Sequence, residues 1–381
     1  MTQQCVVLAG GGTGGHVFPL VAVAEALRKL EPSVEAVFVG TAAGLEARIV
    51  TELGYRLELM KVRPIRGGGP AGALQGIGYA FAALTGSFGL LRRVGPRALL
   101  SIGGYVAGPV SLAAAMLRLP FALLEPNAIM GMANRLVAPL AHRAYTAFDS
   151  VEGHFDARRV VRTGVPIRGG FEPRPWRDRG QLLRILVLGG SQGAKALNQR
   201  FPLALKHLDV PVAVRHQCGE AHVETTRAQY IGLGFDSVEV LPFIDDMPAA
   251  LADADLVVGR SGAGAIAEIC AVGRASLLVP FPYAAGNHQE HNARRLEKLG
   301  AARCLPEAQA SEERFATELA QLLSNRQRLG QMAECALRNG QPDAASKVAA
   351  DLLKLAGIGV TGGHGTSRGK KSKLEIYISL V

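Results

Sequence analysis

Residues 6–27 read VVLAGGGTGGHVFPLVAVAEAL, and this stretch decides the fold. The apolar run before the glycines predicts a strand, and the spaced Ala, Val and Leu residues after them predict a helix. Five glycines in six positions permit positive φ values and a close approach of the backbone. Such a loop can direct N–H groups at an anion beside a helix start. A tight strand-to-helix turn without a ligand is the plainer alternative.

Glycines of this loop also satisfy G-x-G-x-x-G, the pattern of dinucleotide-binding folds. That pattern requires an acidic residue at the end of the second strand, which we predict over residues 36–39. Glu35 precedes this strand, and Glu46 lies beyond the loop that follows it. We therefore expect no carboxylate at the tip of the strand, and the sequence argues against a dehydrogenase.

The composition limits the class of protein. A chain of 381 residues with 48% apolar residues is large enough for two domains with substantial cores. The five cysteines match no disulfide or metal spacing, which favours reduced thiols in a cytoplasmic protein, and no signal peptide is predicted. The net charge of +10 indicates an anionic partner, such as a phosphorylated substrate or a membrane surface. Aromatic residues make up only 6% and are not interleaved with basic ones, so we expect no nucleic-acid partner.

The order of apolar runs predicts the domain organisation. Strand-like runs alternate with helical patterns, which indicates an α/β fold with parallel sheets covered by helices on both faces. We predict a first domain over 1–163, a linker rich in Pro, Gly and Arg over 164–184, a second domain over 185–357 and a disordered basic tail over 358–381. Both domains begin with a strand and a glycine-rich loop, so we expect two facing doubly wound domains with one cleft.

Residues 67–91 form an uncharged segment that is flanked by arginines. Leu74, Ile77, Phe81 and Leu84 recur at helical spacing and predict a helix with one strong apolar face. Glycines and Pro70 argue against a helix that spans a membrane. The apolar face can lie in a lipid interface or pack against the core, and both interpretations remain open.

Four features indicate chemistry. His16 follows the first glycine loop, where it is suited to act as a general base, although a structural role is the alternative. The segment LGGSQGA at 188–194 predicts a second strand-to-helix turn that binds a diphosphate. Glu268, in the helix after GRSGAGA, can accept hydrogen bonds from a ribose diol, and the polar cluster 287–292 suits the hydroxyls of a sugar.

Two patterns that resemble metal sites are weaker. His288 and His291 lack the remaining ligands of a zinc site. Asp253 and Asp255 lead into a strand at the end opposite the expected ligand, so we interpret them as capping and surface charge. We therefore predict no metal site and no required cofactor.

The motifs GGTGGH, SIGGYVAGP, LGGSQGA, PFIDDM, RSGAGAIAEI and HQEHNA occur in this order and resemble those of the bacterial MurG family over most of the chain, to about Leu355. These enzymes are UDP-N-acetylglucosamine:N-acetylmuramyl-(pentapeptide) pyrophosphoryl-undecaprenol N-acetylglucosamine transferases. The resemblance implies a GT-B fold of two Rossmann-like domains. It implies inverting transfer of N-acetylglucosamine from UDP-N-acetylglucosamine to the C4 hydroxyl of the muramyl sugar of lipid I, giving lipid II for peptidoglycan synthesis. It also implies a peripheral enzyme at the anionic, cytoplasmic face of the inner membrane.

The resemblance also implies roles for individual residues, with His16 as the catalytic base. The expected donor-binding residues are Thr13, Gly14, Gly15, Asn127, Arg168, Ser191, Ile244, Ala263, Gly264, Ala265, Ile266, Ala267, Glu268 and Gln289. Among them, the backbone of Ile244 would contact the uracil, Glu268 the ribose and Gln289 the sugar. The acceptor side would include Gly103, Gly104, Tyr105 and Glu125, and the membrane contact Leu74, Ile77, Phe81 and Leu84. The sequence LLEPN at 123–127 departs from HEQN, which is frequent in the family.

Two other classes of function remain open. A binding protein on the same fold would hold a nucleotide sugar without turnover, and His16 would then be a turn residue. Another GT-B enzyme, such as a glycolipid glycosyltransferase, would use a different acceptor. An epimerase would convert the donor without any acceptor.

Overall fold

The computed structural model describes residues 4–12, 14–60, 70–190, 193–235 and 237–359, with the backbone alone for 70–77. Its contacts divide the chain into two units. The first unit contains the residues up to Gly169 together with those from Asp343, and the second contains Gly170–Pro342.

The first unit is built on a sheet of seven parallel strands. The strands are β1 (Cys5–Gly10), β2 (Glu35–Gly40), β3 (Arg56–Leu59), β4 (Ala98–Gly103), β5 (Phe121–Glu125), β6 (Arg143–Thr146) and β7 (Val160–Arg162). Their order is β3-β2-β1-β4-β5-β6-β7. The helices of this unit are α1 (Gly14–Leu30), α2 (Leu45–Glu52), α3 (Pro70–Val94), α4 (Ala107–Met116), α5 (Met132–Val137) and α13 (Ala344–Leu355). Every residue of β1, β4 and β5 is buried, as expected for parallel strands covered on both faces.

The second unit repeats this architecture with six parallel strands. The strands are β8 (Leu183–Leu188), β9 (Val212–Gln217), β10 (Glu239–Leu241), β11 (Leu256–Gly259), β12 (Ala275–Leu278) and β13 (Ala302–Cys304), in the order β10-β9-β8-β11-β12-β13. The helices are α6 (Lys195–Leu205), α7 (Val223–Gly232), α8 (Met247–Asp253), α9 (Ala263–Val272), α10 (His288–Lys298), α11 (Glu312–Leu323) and α12 (Arg326–Asn339). In both units the order reverses beside the first strand, which creates a crevice at the carboxyl ends of the strands.

The boundary of the second domain differs from the sequence prediction. We predicted that residues 185–357 form one domain, but helix α13 packs against α1 in the first unit. Its buried face consists of Ala344, Ala345, Val348, Ala349, Leu352 and Leu353. Asp351 on the same helix accepts a hydrogen bond from the Tyr145 hydroxyl at 3.0 Å and pairs with Arg143 at 3.3 Å. These contacts fix the last helix to the first sheet.

Helix α3 confirms the predicted helix but divides its apolar face. Leu84 and Phe88 pack against the core of the first unit, whereas 68% of the Phe81 surface is exposed. The side chains of Leu74 and Ile77 lie outside the described residues. The predicted membrane contact at Leu84 therefore needs correction, because this side chain packs against the core of the first unit. Within the described ranges, no helix combines the length and the apolar character needed to cross a bilayer.

Candidate active-site residues

The first glycine loop already binds an anion, and the anion belongs to the chain itself. The Glu46 carboxylate accepts the Gly12 N–H at 2.8 Å and the Thr41 N–H at 2.7 Å. The Thr41 hydroxyl donates to it at 3.0 Å, and only 1% of Glu46 is exposed. The prediction that no carboxylate lies at the tip of β2 was therefore wrong. Helix α2 turns the side chain back onto the tip, although Glu46 lies beyond the loop in sequence.

Three glycines make room for this carboxylate. A Cβ atom on Gly11, Gly40 or Gly44 would lie 2.1–2.3 Å from atoms of the Glu46 side chain. No real Cβ atom approaches another heavy atom so closely, so any side chain at these positions would displace the carboxylate. The neighbouring Glu46 side chain therefore requires glycine at these positions.

His16 lies on the other side of the same loop. Its Nδ1 is 3.1 Å from the carbonyl oxygen of Gly11. Gly104 closes this arrangement, since a Cβ atom there would lie 3.3 Å from the same carbonyl oxygen and 3.6 Å from the Nδ1 of His16. Gly104 and its neighbour Gly103 have φ values of 90° and 98°, which favour glycine. Tyr105, the next residue, is 70% exposed.

Glu125 is buried rather than open to an acceptor. Only 2% of it is exposed, and its carboxyl group accepts the backbone N–H groups of Asn127 at 3.2 Å and Gly131 at 3.0 Å. The side chains of Asn127 and Asn134 also donate to it, at 3.4 Å and 3.1 Å. Burial raises the pKa of Glu125, while these four hydrogen bonds oppose the rise. From this position Glu125 shapes the loop after β5.

In the second unit, the second glycine loop follows β8 as predicted. Gly190 and Gly193 have φ values of 83° and 75°. A Cβ atom on Gly193 would lie 2.0 Å from the carbonyl oxygen of Cys218, so this turn packs tightly on the end of β9. Ser191 of this loop and Thr13 of the first loop lie outside the described residues.

The segment around Ile244 follows β10 at the same edge of the second sheet. The Ile244 N–H donates to the Gln217 side chain at 3.1 Å, and both residues are buried. The N–H group of Ile244 is thus engaged by the protein, whereas its carbonyl oxygen accepts no hydrogen bond from the described residues.

Helix α9 begins beside this edge, after β11. Its N-cap is Gly262, which supplies no side-chain cap to the first N–H groups of the helix. Ala263 and Ile266 are buried, whereas Gly264, Ala265, Ala267 and Glu268 are half-buried. The start of the helix thus presents small residues and bare backbone, with one carboxylate on the following turn.

Gln289 is tied to the loops after β11 and β12. Its amide oxygen accepts the N–H groups of Phe281 at 3.0 Å and Ser261 at 3.3 Å. The Ser261 hydroxyl donates to the Gln289 backbone at 2.8 Å. Because the amide oxygen is engaged, the amide N–H groups are the part of this side chain best suited to a sugar hydroxyl.

Within the described residues, no cluster of three or more His, Cys, Asp or Glu side chains is suited to hold a metal ion. Asp253 pairs with Arg179 at 2.7 Å on the surface. Asp255 is buried and accepts the backbone N–H of Arg184 at 2.8 Å, where β8 begins. All five cysteines are free thiols in this structure.

The sequence analysis did not predict the structural roles of Glu46, Asn134 and Gln217. Each is a buried polar residue whose partners are backbone groups or side chains of other segments. Arg135 follows Asn134, and Arg215 and His216 precede Gln217, so no local apolar pattern indicates that either residue is buried.

Comparisons with known proteins bear on both units. Residues 6–146 match the glycosyltransferase family 28 N-terminal domain, and residues 184–348 match the C-terminal domain of that family. A UDP-N-acetylglucosamine–N-acetylmuramyl-(pentapeptide) pyrophosphoryl-undecaprenol N-acetylglucosamine transferase from Sorangium cellulosum is 46% identical over 92% of this chain and 88% of its own length. The chain belongs to this transferase family. The crystal structure of Acinetobacter baumannii MurG agrees, with a TM-score of 0.77, 34% identity and coverage of 92% of this chain and 99% of that one.

Membership of the MurG family confirms the expected GT-B fold of two doubly wound domains and the expected class of enzyme, a glycosyltransferase. A UDP-GlcNAc 2-epimerase from Neisseria meningitidis, solved with UDP-GlcNAc, covers 92% of this chain and 100% of its own with a TM-score of 0.63. Its identity is only 12%, so this likeness concerns the fold alone.

Proposed function

We propose that this protein transfers N-acetylglucosamine from UDP-N-acetylglucosamine to the C4 hydroxyl of the muramyl sugar of lipid I, with inversion at the anomeric carbon, and so forms lipid II. The names of the family members support the two substrates. The observation that carries the mechanism is the contact between His16 Nδ1 and the Gly11 carbonyl oxygen at 3.1 Å.

This contact assigns the proton on the imidazole of His16. A carbonyl oxygen only accepts hydrogen bonds, so the ring nitrogen that faces it carries the hydrogen. The lone pair of a neutral imidazole is then on Nε2. In the proposed step, the acceptor hydroxyl attacks the anomeric carbon, the bond to the UDP oxygen breaks, and Nε2 takes the hydroxyl proton.

The edge of the second sheet supplies groups suited to the donor. The uncapped start of α9 and the glycine loop after β8 would stabilise the diphosphate through N–H groups and the helix dipole. Glu268 would accept hydrogen bonds from the ribose, Gln289 would donate to the sugar, and the Ile244 backbone would contact the uracil. Because backbone N–H groups balance the charge of the leaving diphosphate, this mechanism requires no metal ion.

The remaining predicted residues belong to the first unit. We propose that Gly103, Gly104, Tyr105 and the loop held by Glu125 bind the acceptor. Gly14, Gly15, Asn127 and Arg168 would complete the donor contacts. Since lipid I is anchored by its polyprenyl chain, we also propose that the protein works at an anionic membrane surface on the cytoplasmic side, with Phe81 in the interface and Arg92 and Arg93 at the end of the same helix.

The test is an assay that omits each substrate in turn. We expect UDP release and a disaccharide product only when UDP-N-acetylglucosamine and a lipid I analogue are both present. Conversion of the donor without an acceptor would instead indicate an epimerase. Donor binding without any turnover in the presence of the acceptor would indicate a nucleotide-sugar-binding protein.

A further inference from the structure

Glu46 is a buried carboxylate that the proposed reaction does not use. It lies in the first turn of α2, two residues after the N-cap residue Gly44, and its carboxylate accepts the N–H groups of Gly12 and Thr41. A carboxylate removed from water in this way is costly unless its hydrogen bonds are satisfied. Here the partners are backbone and hydroxyl groups at the tips of β1 and β2, so the side chain connects the two loops beside His16.

One peptide group links Glu46 to His16. The Gly12 N–H that Glu46 accepts and the Gly11 carbonyl that faces His16 belong to the same peptide unit. Because the peptide group is planar, fixing the direction of the N–H also fixes the direction of the C=O. Glycine at both positions leaves this peptide otherwise free to rotate, and Gly12 has a φ of 93°.

The charge of Glu46 acts through the same peptide. A hydrogen bond from the N–H to a carboxylate polarises the peptide and makes its carbonyl oxygen a better acceptor. A stronger acceptor at Gly11 favours the hydrogen on Nδ1 of His16 and so keeps Nε2 unprotonated, as a general base requires. In a serine-protease triad, an aspartate performs this orienting role by direct contact with the histidine.

We propose that Glu46, the Gly11–Gly12 peptide and His16 form a carboxylate–peptide–imidazole chain in which Glu46 is a positioning residue. It selects the tautomer and the ring orientation of His16 without touching a substrate. This inference rests on the proposed role of His16 as the base. It also excludes the Gly12 N–H from phosphate binding, because a carboxylate occupies that donor.

The test combines turnover with nitrogen NMR of the free protein. In Glu46→Gln, an amide of nearly the same shape must turn its NH₂ group toward Gly12 or Thr41, both of which donate. We expect turnover to fall by about tenfold to a hundredfold, because a small misorientation of a base has such an effect. The affinity for UDP should stay within about twofold, as expected for a change confined to the chemical step. In ¹⁵N-histidine-labelled wild-type protein above neutral pH, the His16 signals should show the Nδ1–H tautomer. In Glu46→Gln they should show a mixture of the two tautomers. The signals are assigned by their loss in His16→Gln.

Matched variants distinguish the loss of the carboxylate–peptide–imidazole contacts from a general loss of structure. Glu52→Gln removes an exposed carboxylate from the same helix and should leave both the tautomer and turnover unchanged. Gly44→Ala should reproduce the effect of Glu46→Gln, since the backbone of Gly44, at φ −86° and ψ 162°, accepts alanine while the new Cβ displaces the carboxylate. It also serves if Glu46→Gln does not fold.

The outcomes are distinct. A folded Glu46→Gln or Gly44→Ala variant that keeps the Nδ1–H tautomer would overturn the proposal, whatever its turnover. A wild-type protein with the expected tautomer but no transfer in the two-substrate assay would refute the proposed function and leave the positioning chain intact.

Discussion

At the scale of single residues, the first glycine loop shows why a glycine-rich pattern does not identify its ligand. Gly11, Gly40 and Gly44 lack side chains because the Glu46 carboxylate fills the space beside them. The sequence predicts a loop that can hold an anion, and in the structure the Gly12 N–H of this loop binds the Glu46 carboxylate. The sequence could not predict that a carboxylate of the same chain occupies one of the N–H donors, because that depends on how α2 turns back onto the loop.

Glu268 provides a test of the donor contacts. Glu268→Ala should weaken UDP binding by roughly tenfold to a hundredfold, because a hydrogen bond to a charged group contributes about 1.5–3 kcal/mol. Turnover at saturating donor should change less, since the ribose is remote from the reacting carbon. Calorimetry with UDP alone measures the first effect, and Glu334→Ala, which removes a 60% exposed carboxylate from α12, is the control. Unchanged UDP affinity in Glu268→Ala would place the ribose elsewhere.

At the scale of elements, α3 combines two roles that the sequence left as alternatives. The regular spacing of apolar residues predicts a helix with one apolar face, but the same spacing suits a lipid interface and a protein core. The structure assigns Leu84 and Phe88 to the core and leaves Phe81 exposed. Periodicity alone could not make this division, because it does not record where a neighbouring element ends.

Two single substitutions test the division of α3. Phe81→Ser should weaken binding to vesicles that contain anionic lipid and leave the thermal midpoint unchanged, because Phe81 packs on little of the protein. Leu84→Ser should destabilise the fold by about 1–3 kcal/mol, because it places a hydroxyl against the core. Vesicle sedimentation and thermal unfolding measure the two effects. If Phe81→Ser binds vesicles as the wild type does, the membrane contact lies elsewhere.

A buried histidine connects three elements of the second unit. His216 in β9 contacts the Tyr230 hydroxyl of α7 at 2.8 Å through Nδ1 and the Asn198 side chain of α6 at 3.1 Å through Nε2. Burial lowers the pKa of His216 to about 3 from the ordinary value of 6.5. The native state therefore holds this imidazole neutral at pH values where the unfolded chain protonates it.

The sign of the resulting pH dependence follows from that lowered pKa. The contribution of His216 to stability is complete above pH 6.5 and is lost as the pH falls toward about 3. In His216→Gln, the free energy of unfolding should therefore fall less steeply over this range, by about 1.4 kcal/mol per pH unit. Urea unfolding followed by the fluorescence of Trp176, the single tryptophan, reports on this unit, because Trp176 packs against its core. Equal slopes for the variant and the wild type would contradict the neutral buried state.

At the scale of the whole molecule, the chain forms two units of similar topology, and its last described helix returns to the first. The strand that precedes each glycine-rich loop was predicted correctly, because β1 is a continuous apolar run and β8 departs from one only at Arg184. The short strands β3, β6, β7 and β13 were missed, since three or four residues with polar members carry no clear period. The pattern of α13 predicts a buried face but not the surface against which it packs.

Two truncations test the assignment of α13. Removal of residues 343–381 should destabilise the first unit by on the order of 5 kcal/mol, because the unit loses the apolar surface of Val348, Leu352 and Leu353 that packs against it. That amount is comparable with the whole stability of a domain. The unfolding of the second unit, detected at Trp176, should stay unchanged. Removal of residues 360–381 alone is the control and should affect neither unit. A shift of the unfolding transition detected at Trp176 in the longer truncation would show that α13 stabilises the second unit.

The most direct test of the central claim is the turnover number of His16→Ala at saturating UDP-N-acetylglucosamine and lipid I analogue, measured with the UDP affinity of the same variant. If His16 takes the proton of the acceptor hydroxyl, turnover should fall by a factor on the order of 100 to 10,000 while the affinity for UDP stays within about twofold. Turnover within a few-fold of the wild type would show that His16 is not the base.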